Sequence, residues 1–421
     1  MTIQRWRAQI AAPEPFHPPL RMIDLRVVCR GKKYPQSAQV GLSGATNIRL
    51  QVQVQVRGPA FANYARRGET LPSDHRLTRL RLELAYFSGL AWLRANATGG
   101  AGVILRFERV RPRRPERFQP LRSHEITPKF LDRTIRALKR WKFDIVSMDE
   151  VCRRAVTPAL PRRFACLTFD GGYRDLMTSA YPLLAEHGVP FTVYLPTAFP
   201  DGLGEAWWLA LEEVIAREKR VSLVMDREEH RFDIGSTSEK YQLYNFLAGW
   251  MRSLPPTELS SAINDLCKRY SVDLAAVSRE ASMDWTELAK LAADPLVTIG
   301  SATVNYPVLS TLKDAAALRE MKMGRAVAEA AFRRDVRHFA YPFGDRASWR
   351  PRHAAMAAEA DLASAVSAIP GVVEAEGRTN LHALPRIAWD GRQRSLRVMR
   401  VMLSGLPFRR ASSRRRGAPS S

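Results

Sequence analysis

Apolar residues along the chain recur in two rhythms. Short runs of strand length occupy 103–107, 143–147, 164–170, 190–195, 297–299, 336–340, 361–366 and 381–387. Between several of them lie stretches with an apolar face at helical spacing, and Thr127 and Pro128 mark the start of one that continues to Arg140, with Ile135 and Leu138 facing inward. A second spans 176–187 with Leu176, Ala180, Leu183 and Leu184 on one face, and a third, rich in Ala and Met, spans 312–332. Strand and helix in alternation predict a parallel barrel or a doubly wound sheet.

Three stretches depart from that alternation. In 48–56, Ile48, Leu50, Val52, Val54 and Val56 alternate with polar residues, which predicts one strand in an otherwise turn-rich, basic segment. One strand cannot bury its apolar face alone, so residues 1–80 are either a small accessory segment or an extension foreign to the natural protein. In 80–93, Leu82, Tyr86, Phe87, Leu90 and Leu93 share a helical face, for packing on the barrel or for a membrane surface. Residues 200–283 are too long for a simple connection; helices at 207–218, 239–251 and 258–270 predict a helical insertion on the strand-end face. Trp207, Trp208 and Trp250 within it suit either a core or a platform for sugar rings.

The sharpest local feature is Phe164-Ala165-Cys166-Leu167-Thr168-Phe169-Asp170-Gly171-Gly172-Tyr173-Arg174-Asp175. An apolar strand stops at one carboxylate, two glycines turn the chain and a helix begins. Ends of parallel strands carry the chemistry of such folds, which makes Asp170 a candidate catalytic carboxylate. A carboxylate there would equally cap the following helix, and these residues leave both roles open.

This run resembles the first motif of the polysaccharide deacetylases, the NodB-homology carbohydrate esterases, usually Thr-Phe-Asp-Asp-Gly. Asp284-Trp285-Thr286-Glu287-Leu288 and Val297 onward through Gly300-Ser301-Ala302-Thr303-Val304-Asn305-Tyr306-Pro307 resemble the lead-in and second motif, usually Gly-Ser-His-Thr-x-x-His-Pro. Phe339-Ala340-Tyr341-Pro342-Phe343-Gly344 resembles the third motif and Leu384-Pro385-Arg386-Ile387 the closing strand. The resemblance covers roughly residues 100 to 390 and implies an irregular (β/α) barrel of the polysaccharide deacetylase type with a helical insertion at about 200–283.

The resemblance also implies chemistry and its loss. The first Asp of motif one serves the family as general base, while the second Asp and two His of motif two hold a divalent metal. Here those ligand positions are Gly171, Ala302 and Tyr306, and glycine and alanine offer no donor while a neutral phenol is a poor one. No cofactor is therefore expected, unless Asp175, His124 or Glu125 rebuild a metal site. Losing the metal removes several kcal/mol of transition-state stabilisation, leaving backbone amides or an arginine to stabilise charge. Asp170 is the expected general base, Arg386 the arginine that orients it or binds an oxyanion, and His382 the candidate proton donor. Tyr173, Ser301, Tyr341, Pro342, Phe343 and Gly344 are expected to line the substrate groove. Two functions follow: a hydrolase removing acyl groups from an N-acetylated carbohydrate, or an inactive relative that binds saccharide or a protein partner in the same groove.

Composition narrows the setting. The chain of 421 residues is 46% hydrophobic and 25% charged, in the range of globular proteins, and no apolar run nears the ~20 residues of a membrane span. Met1 to Leu20 holds no continuous apolar core, so no signal peptide is visible and a cytoplasmic location is expected. The net charge is +23, yet only 11 of 65 basic residues are lysine, a bias that genome base composition would produce without any partner. No nucleic-acid motif or aromatic-interleaved basic stripe is present, which argues against nucleic acid and leaves weak contact with anionic polymers or membrane surfaces open. Cys29, Cys152, Cys166 and Cys267 have no paired spacing, as suits a reducing compartment, and Cys166 reads as buried. The domain expectation is thus an extension at 1–80, helix and linker at 81–100, the barrel at 101–395 and a basic, disordered tail at 396–421.

Overall fold

The computed structural model describes residues 72–89, 100–158 and 162–408. By contacts the chain divides into two units, 1–51 and 52–421, and every described residue lies in the second. The strand expected at 48–56 lies outside the described residues, as do Cys29, Leu90, Leu93 and residues 409–421.

Strands β1 (Gly102–Phe107), β2 (Arg109–Val110), β3 (Glu125–Ile126), β4 (Asp144–Ile145), β5 (Phe164–Asp170) and β6 (Phe191–Leu195) form the first half of the chain's sheet structure. A hairpin, β7 (Arg220–Met225) and β8 (Glu228–Asp233), belongs to the insertion; then come β9 (Val297–Ser301), β10 (His338–Ala340), β11 (Ser364–Val366) and β12 (Ile387–Ala388). The principal sheet runs β11-β10-β9-β6-β5-β1-β12, with β4 also on β5, and all its pairings are parallel. The chain just before β12 closes the ring: Leu384 N–H donates to the Ala365 carbonyl at 2.9 Å and its own carbonyl accepts from Ser367 N–H at 2.9 Å. The result is an irregular parallel barrel, closed between β11 and the run into β12.

Period-two alternation sorts the strands into two surfaces. Val103, Leu105, Phe107, Ala165, Leu167, Phe169, Val193 and Ile299 pack outward against helix residues such as Phe130, Ile135, Leu138, Leu288 and Met399. Ile104, Cys166, Tyr194, Ala302, Ala340, Val366 and Leu384 pack on one another in the lumen. Arg106 and Asp170 share the parity of the lumen set. Helix Pro128–Arg140 starts as its sequence implies, the Thr127 hydroxyl accepting from Phe130 N–H at 3.3 Å with Pro128 in the first turn. The helix after Asp170 opens with a wide π turn, Leu176–Ala180, before Tyr181–Glu186 becomes α. Pro182 has no N–H to donate to residue 178, which removes one α-type bond where the widened turn meets the helix.

The insertion has its own core. Helices Trp207–Arg217, Thr237–Met251, Pro256–Arg269 and Leu274–Ala281 enclose Leu211, Val214, Ile215, Leu247, Ile263 and Leu266, joined by Val221, Leu223 and Phe232 from the hairpin. The hairpin is not announced by the sequence pattern. Its turn, Asp226-Arg227, has both residues at positive φ (51° and 69°) but no glycine to announce it.

Two boundaries differ from expectation. The helix expected at 80–93 spans Pro72–Phe87 and stops at Ser88-Gly89, where Gly89 has φ +68°. Leu82 packs on the barrel's outer core, whereas Leu84 and Phe87 are exposed, so the apolar face is only partly covered. Beyond residue 395, where a disordered tail was expected, helix Leu396–Leu403 buries Val398, Met399, Val401 and Leu403. Its apolar spacing fits a groove on the barrel wall, which is why it folds despite flanking arginines.

Candidate functional site

Parallel register builds the site from three strands. Arg106 of β1 stands level with Thr168 of β5, and Asp170 ends β5 one inward step further on, opposite Tyr194 of β6. Arg386, just before β12, is the third member. Its Nη1 donates to Asp170 Oδ1 at 2.6 Å and its Nη2 to Oδ2 at 2.7 Å, a two-pronged clamp. Arg386 is further held by Nε donating to the Ser367 carbonyl at 2.8 Å and Nη1 to Thr168 Oγ1 at 3.1 Å. From the other side Arg106 Nε donates to Asp170 Oδ2 at 2.5 Å. The chain of charges continues outward: Arg106 Nη2 meets Glu108 Oε1 at 2.5 Å, and His124 Nδ1 lies 2.8 Å from the same oxygen.

Burial makes these contacts matter. Arg386 is 0% exposed, Asp170 2% and Arg106 8%. A buried pair gains little over an apolar isostere, but removing one partner strands the other charge at a cost of about 3–5 kcal/mol. Burial would raise the Glu108 carboxyl, yet Arg106 and His124 hold it down at about 2. Burial likewise works against the Arg106 cation, and the Glu108 and Asp170 carboxylates overcome it, holding Arg106 well above the usual arginine value. Asp170 offers about four acceptor positions as a carboxylate, and three arginine N–H groups fill all but one of them, on Oδ1. Arg106 Nη1 makes no hydrogen bond among the described residues.

The residues at the ligand positions do not fit a divalent metal. Gly171 has φ +97°, and a Cβ there would meet the Tyr173 ring at 2.7 Å, so the backbone itself disfavours an aspartate. Ala302 is buried in the lumen. Tyr306 stands at φ +57°, its hydroxyl accepting from Phe343 N–H at 3.3 Å, and burial pushes its phenol up to about 12 although Arg106 pulls the other way. The residues that would rebuild a site are engaged elsewhere: Asp175 with Arg109 at 2.7 Å, His124 with Glu108, and Glu125 with Arg114 at 2.9 Å. Among the described residues no three His, Cys, Asp or Glu converge. The cations beside Asp170 are instead the Arg386 and Arg106 guanidiniums, and Arg106 is close enough to Tyr306 for the two to influence each other's titration.

An aromatic wall flanks this cluster. Trp208 from the insertion donates through Nε1 to the Tyr173 hydroxyl at 3.0 Å and packs on Tyr306 at 5.8 Å and Phe343 at 6.1 Å between ring centroids. Tyr306 and Phe343 are 5.1 Å apart, and Arg109 lies over the Tyr173 ring at 4.7 Å. The three tryptophans therefore differ. Trp207 is buried in the insertion core and backs the wall through Phe343 at 6.4 Å, Trp250 packs half-buried against that core, and Trp208 packs on Tyr306 itself.

The other expected site residues divide. Ser301 is buried, and among the described residues neither its Oγ nor the buried Tyr194 hydroxyl has a hydrogen-bond partner. Phe343 and Gly344, at φ +59° and +71°, form a tight turn after β10; a Cβ on Gly344 would meet Ala368 N at 2.6 Å. Pro342 is buried in that turn. Tyr341 turns away from the cluster: its ring stacks on Trp349 at 4.4 Å and its hydroxyl donates to the His382 carbonyl at 2.7 Å. The His382 Nε2 lies 2.7 Å from the Leu362 carbonyl, which can only accept, so that nitrogen carries a proton committed to the backbone. No hydrogen bond links His382 to the Asp170 cluster among the described residues.

Arg106 and Glu108 had no place in the expected site, whereas Trp208 was one of three tryptophans weighed as either core or sugar platform. Arg106 did carry a signal, being a charge inside the apolar run Val103-Ile104-Leu105-Arg106-Phe107 at the parity that faces the lumen.

Residues 232–364 match the family model described as polysaccharide deacetylase. That segment contains the Gly300-Ser301 and Tyr341 to Gly344 turns; Asp170 and Arg386 lie outside it. No curated protein sequence matches the chain. Among solved structures, the Streptococcus pyogenes deacetylase PplD is 16% identical with TM-score 0.46, the match covering 71% of this chain and 97% of that one. IcaB from Ammonifex degensii is 14% identical with TM-score 0.46, covering 72% and 98%. The BpsB deacetylase domain from Bordetella bronchiseptica is 16% identical with TM-score 0.41, covering 69% and 96%. The sequence match to the polysaccharide deacetylase family is thus confined to residues 232–364, about a third of the chain.

Proposed function

We propose that the chain acts on an N-acylated carbohydrate, adding water across the acetamide carbon–nitrogen bond to release a carboxylic acid and a free amine, without a metal. The observation that supports this is the pairing of a carboxylate, Asp170, with a guanidinium, Arg106, whose Nη1 makes no hydrogen bond among the described residues and can meet a developing oxyanion. Asp170 takes the proton of the attacking water through the remaining acceptor position on Oδ1, while Arg386 fixes the carboxylate plane. Trp208, Tyr306 and Phe343 supply flat faces for a sugar ring. One guanidinium replaces a divalent ion poorly, so turnover should be at least about a thousandfold below that of a metal-bearing relative, from several kcal/mol of lost stabilisation.

A second reading, a non-catalytic relative binding saccharide or a protein partner in the same groove, is favoured by the 2% exposure of Asp170 and the three N–H groups on it. Acetate release from N-acetylglucosamine oligomers by metal-stripped protein, with and without added Zn²⁺, separates the two. Metal-independent release lost in Asp170→Asn and reduced in Arg106→Lys supports the hydrolase. Oligomer binding by calorimetry without acetate release supports the binding protein, and release that requires Zn²⁺ refutes both.

A further inference from the structure

A second group of arginines lies apart from the Asp170 cluster, on the segments that follow β1 and β12. Arg113, Arg122, Arg392, Arg394 and Arg397 line an open cavity of about 490 Å³ together with Ser395 and a single acid, Glu83. Arg111 and Arg114 stand beside it around a smaller recess that shares Arg113, Arg122 and Arg394. Several of these guanidinium groups are already committed. Arg392 pairs with Asp390 at 2.9 Å, Arg114 with Glu125 and Glu212, and Arg397 lies over the Phe87 ring at 5.1 Å. Among the described residues no carboxylate lies within ion-pair reach of Arg113, Arg122 or Arg394.

Convergence of unpaired guanidinium groups in an open cavity is mildly unfavourable for the isolated protein, because like charges repel even where water screens them. An anion removes that cost. Guanidinium forks match the oxygens of phosphate in two-pronged geometry, which ammonium groups and carbohydrate hydroxyls do not. Ser395 caps the helix Leu396–Leu403, its Oγ accepting from Val398 N–H at 3.4 Å, so the positive end of that helix dipole adds to the same cavity. The backbone around it is tightly held: Gly391 N–H donates to the Ser123 carbonyl at 2.8 Å, and a Cβ on Gly391 would overlap the Glu125 carbonyl. The two arginine-bearing segments are thus fastened to each other.

We propose that this cavity is a receptor for a phosphate or diphosphate group, with Arg113, Arg122 and Arg394 as its primary ligands. The inference stands independently of the deacetylase reading. Diphosphate fits the charge: three unpaired cations meet an anion of about three negative charges, and the volume leaves room for the group esterified to it. The source is either a soluble phosphate compound or a lipid headgroup, and the two share this recognition chemistry.

The test is titration calorimetry of the full-chain protein with inorganic pyrophosphate at low salt. Vesicles of phosphatidylcholine with phosphatidic acid, read by co-sedimentation, form a second arm. Saturable pyrophosphate binding that weakens about tenfold or more in Arg122→Ala/Arg394→Ala, and is partly kept in Arg122→Lys/Arg394→Lys, supports a soluble ligand. Vesicle binding that shows the same dependence, with pyrophosphate competing, assigns the phosphate to a lipid. Binding of both probes unchanged in the alanine variant, or no saturable binding of either by the wild type, overturns the proposal. Thermal midpoints of all variants establish that the fold is intact. Binding of oligosaccharide by the same variants reads the Asp170 groove separately, so failure of one site is not mistaken for failure of the other.

Discussion

Two sets of arginines in this protein obey opposite rules. Arg106 and Arg386 are buried in the barrel lumen, and their hydrogen bonds end on Asp170, Glu108, Thr168 and the Ser367 carbonyl. Arg113, Arg122 and Arg394 line an open cavity and end on no carboxylate among the described residues. The difference is one of solvent. Inside the barrel a guanidinium persists only if the fold itself supplies the counter-charge, since desolvation costs several kcal/mol per ion. On the surface water screens the charge, and the fold is free to leave it unsatisfied for something that arrives from outside. Lumen arginines therefore report on stability and site geometry, whereas cavity arginines report on ligands.

The largest expected effect that would break this contrast is at Arg386. Arg386→Met leaves Asp170 buried with one guanidinium, and should cost about 3–5 kcal/mol, read as a lower guanidinium chloride midpoint at unchanged slope. A loss below about 1 kcal/mol would mean that Asp170 does not depend on its clamp. Next comes Glu108, held at about 2 against an ordinary value of 4.5. Its contribution is present above about pH 4.5 and is lost as pH falls toward about 2. Glu108→Gln should therefore be less stable than the wild type at neutral pH, on the order of 3 kcal/mol, and the gap should close across that acid window in pH-dependent unfolding. A gap independent of pH would assign the loss to packing.

Trp208→Ala sharpens the comparison from the aromatic side. It removes the bond to the Tyr173 hydroxyl and the contacts with Tyr306 and Phe343, and should cost roughly 2 kcal/mol, below the range for a fully buried tryptophan because this one is half-buried. Oligosaccharide affinity should fall with it; preserved affinity would place the sugar away from this wall. The smallest effect is expected in Arg113→Ala/Arg394→Ala, whose unfolding midpoint should stay within about 0.5 kcal/mol of the wild type. A large destabilisation there would show that these arginines do serve the fold.

Much of the architecture was readable because it rests on local rules. The apolar run ending at Asp170, the Thr127-Pro128 helix start and the insertion helices each follow from neighbours a few residues apart. The hairpin at 220–233 escaped because a turn of Asp226-Arg227 at positive φ has no glycine to mark it. The basic run from Arg409 onward leads to expecting a disordered tail from residue 396, but the apolar face of Leu396–Leu403 decides that segment's packing. The third motif puts Tyr341 beside the groove and the resemblance offers His382 as proton donor, yet neither says whether a side chain turns to the lumen or, as the Tyr341 hydroxyl does, to a backbone carbonyl.

What the amino-acid sequence determined by itself is the order of strands and helices, the carboxylate at the end of β5 and the absence of donors at Gly171 and Ala302, because each depends on residue identity and short-range periodicity. What only the tertiary structure decided is which charges meet. Asp170 finds Arg106 across 64 residues and Arg386 across 216, and those partnerships follow from parallel register, which is set by the summed packing of the whole sheet. The arginine-lined cavity is likewise assembled from 113–122 and 392–397, two segments that become neighbours only because β1 and β12 lie side by side as the barrel closes.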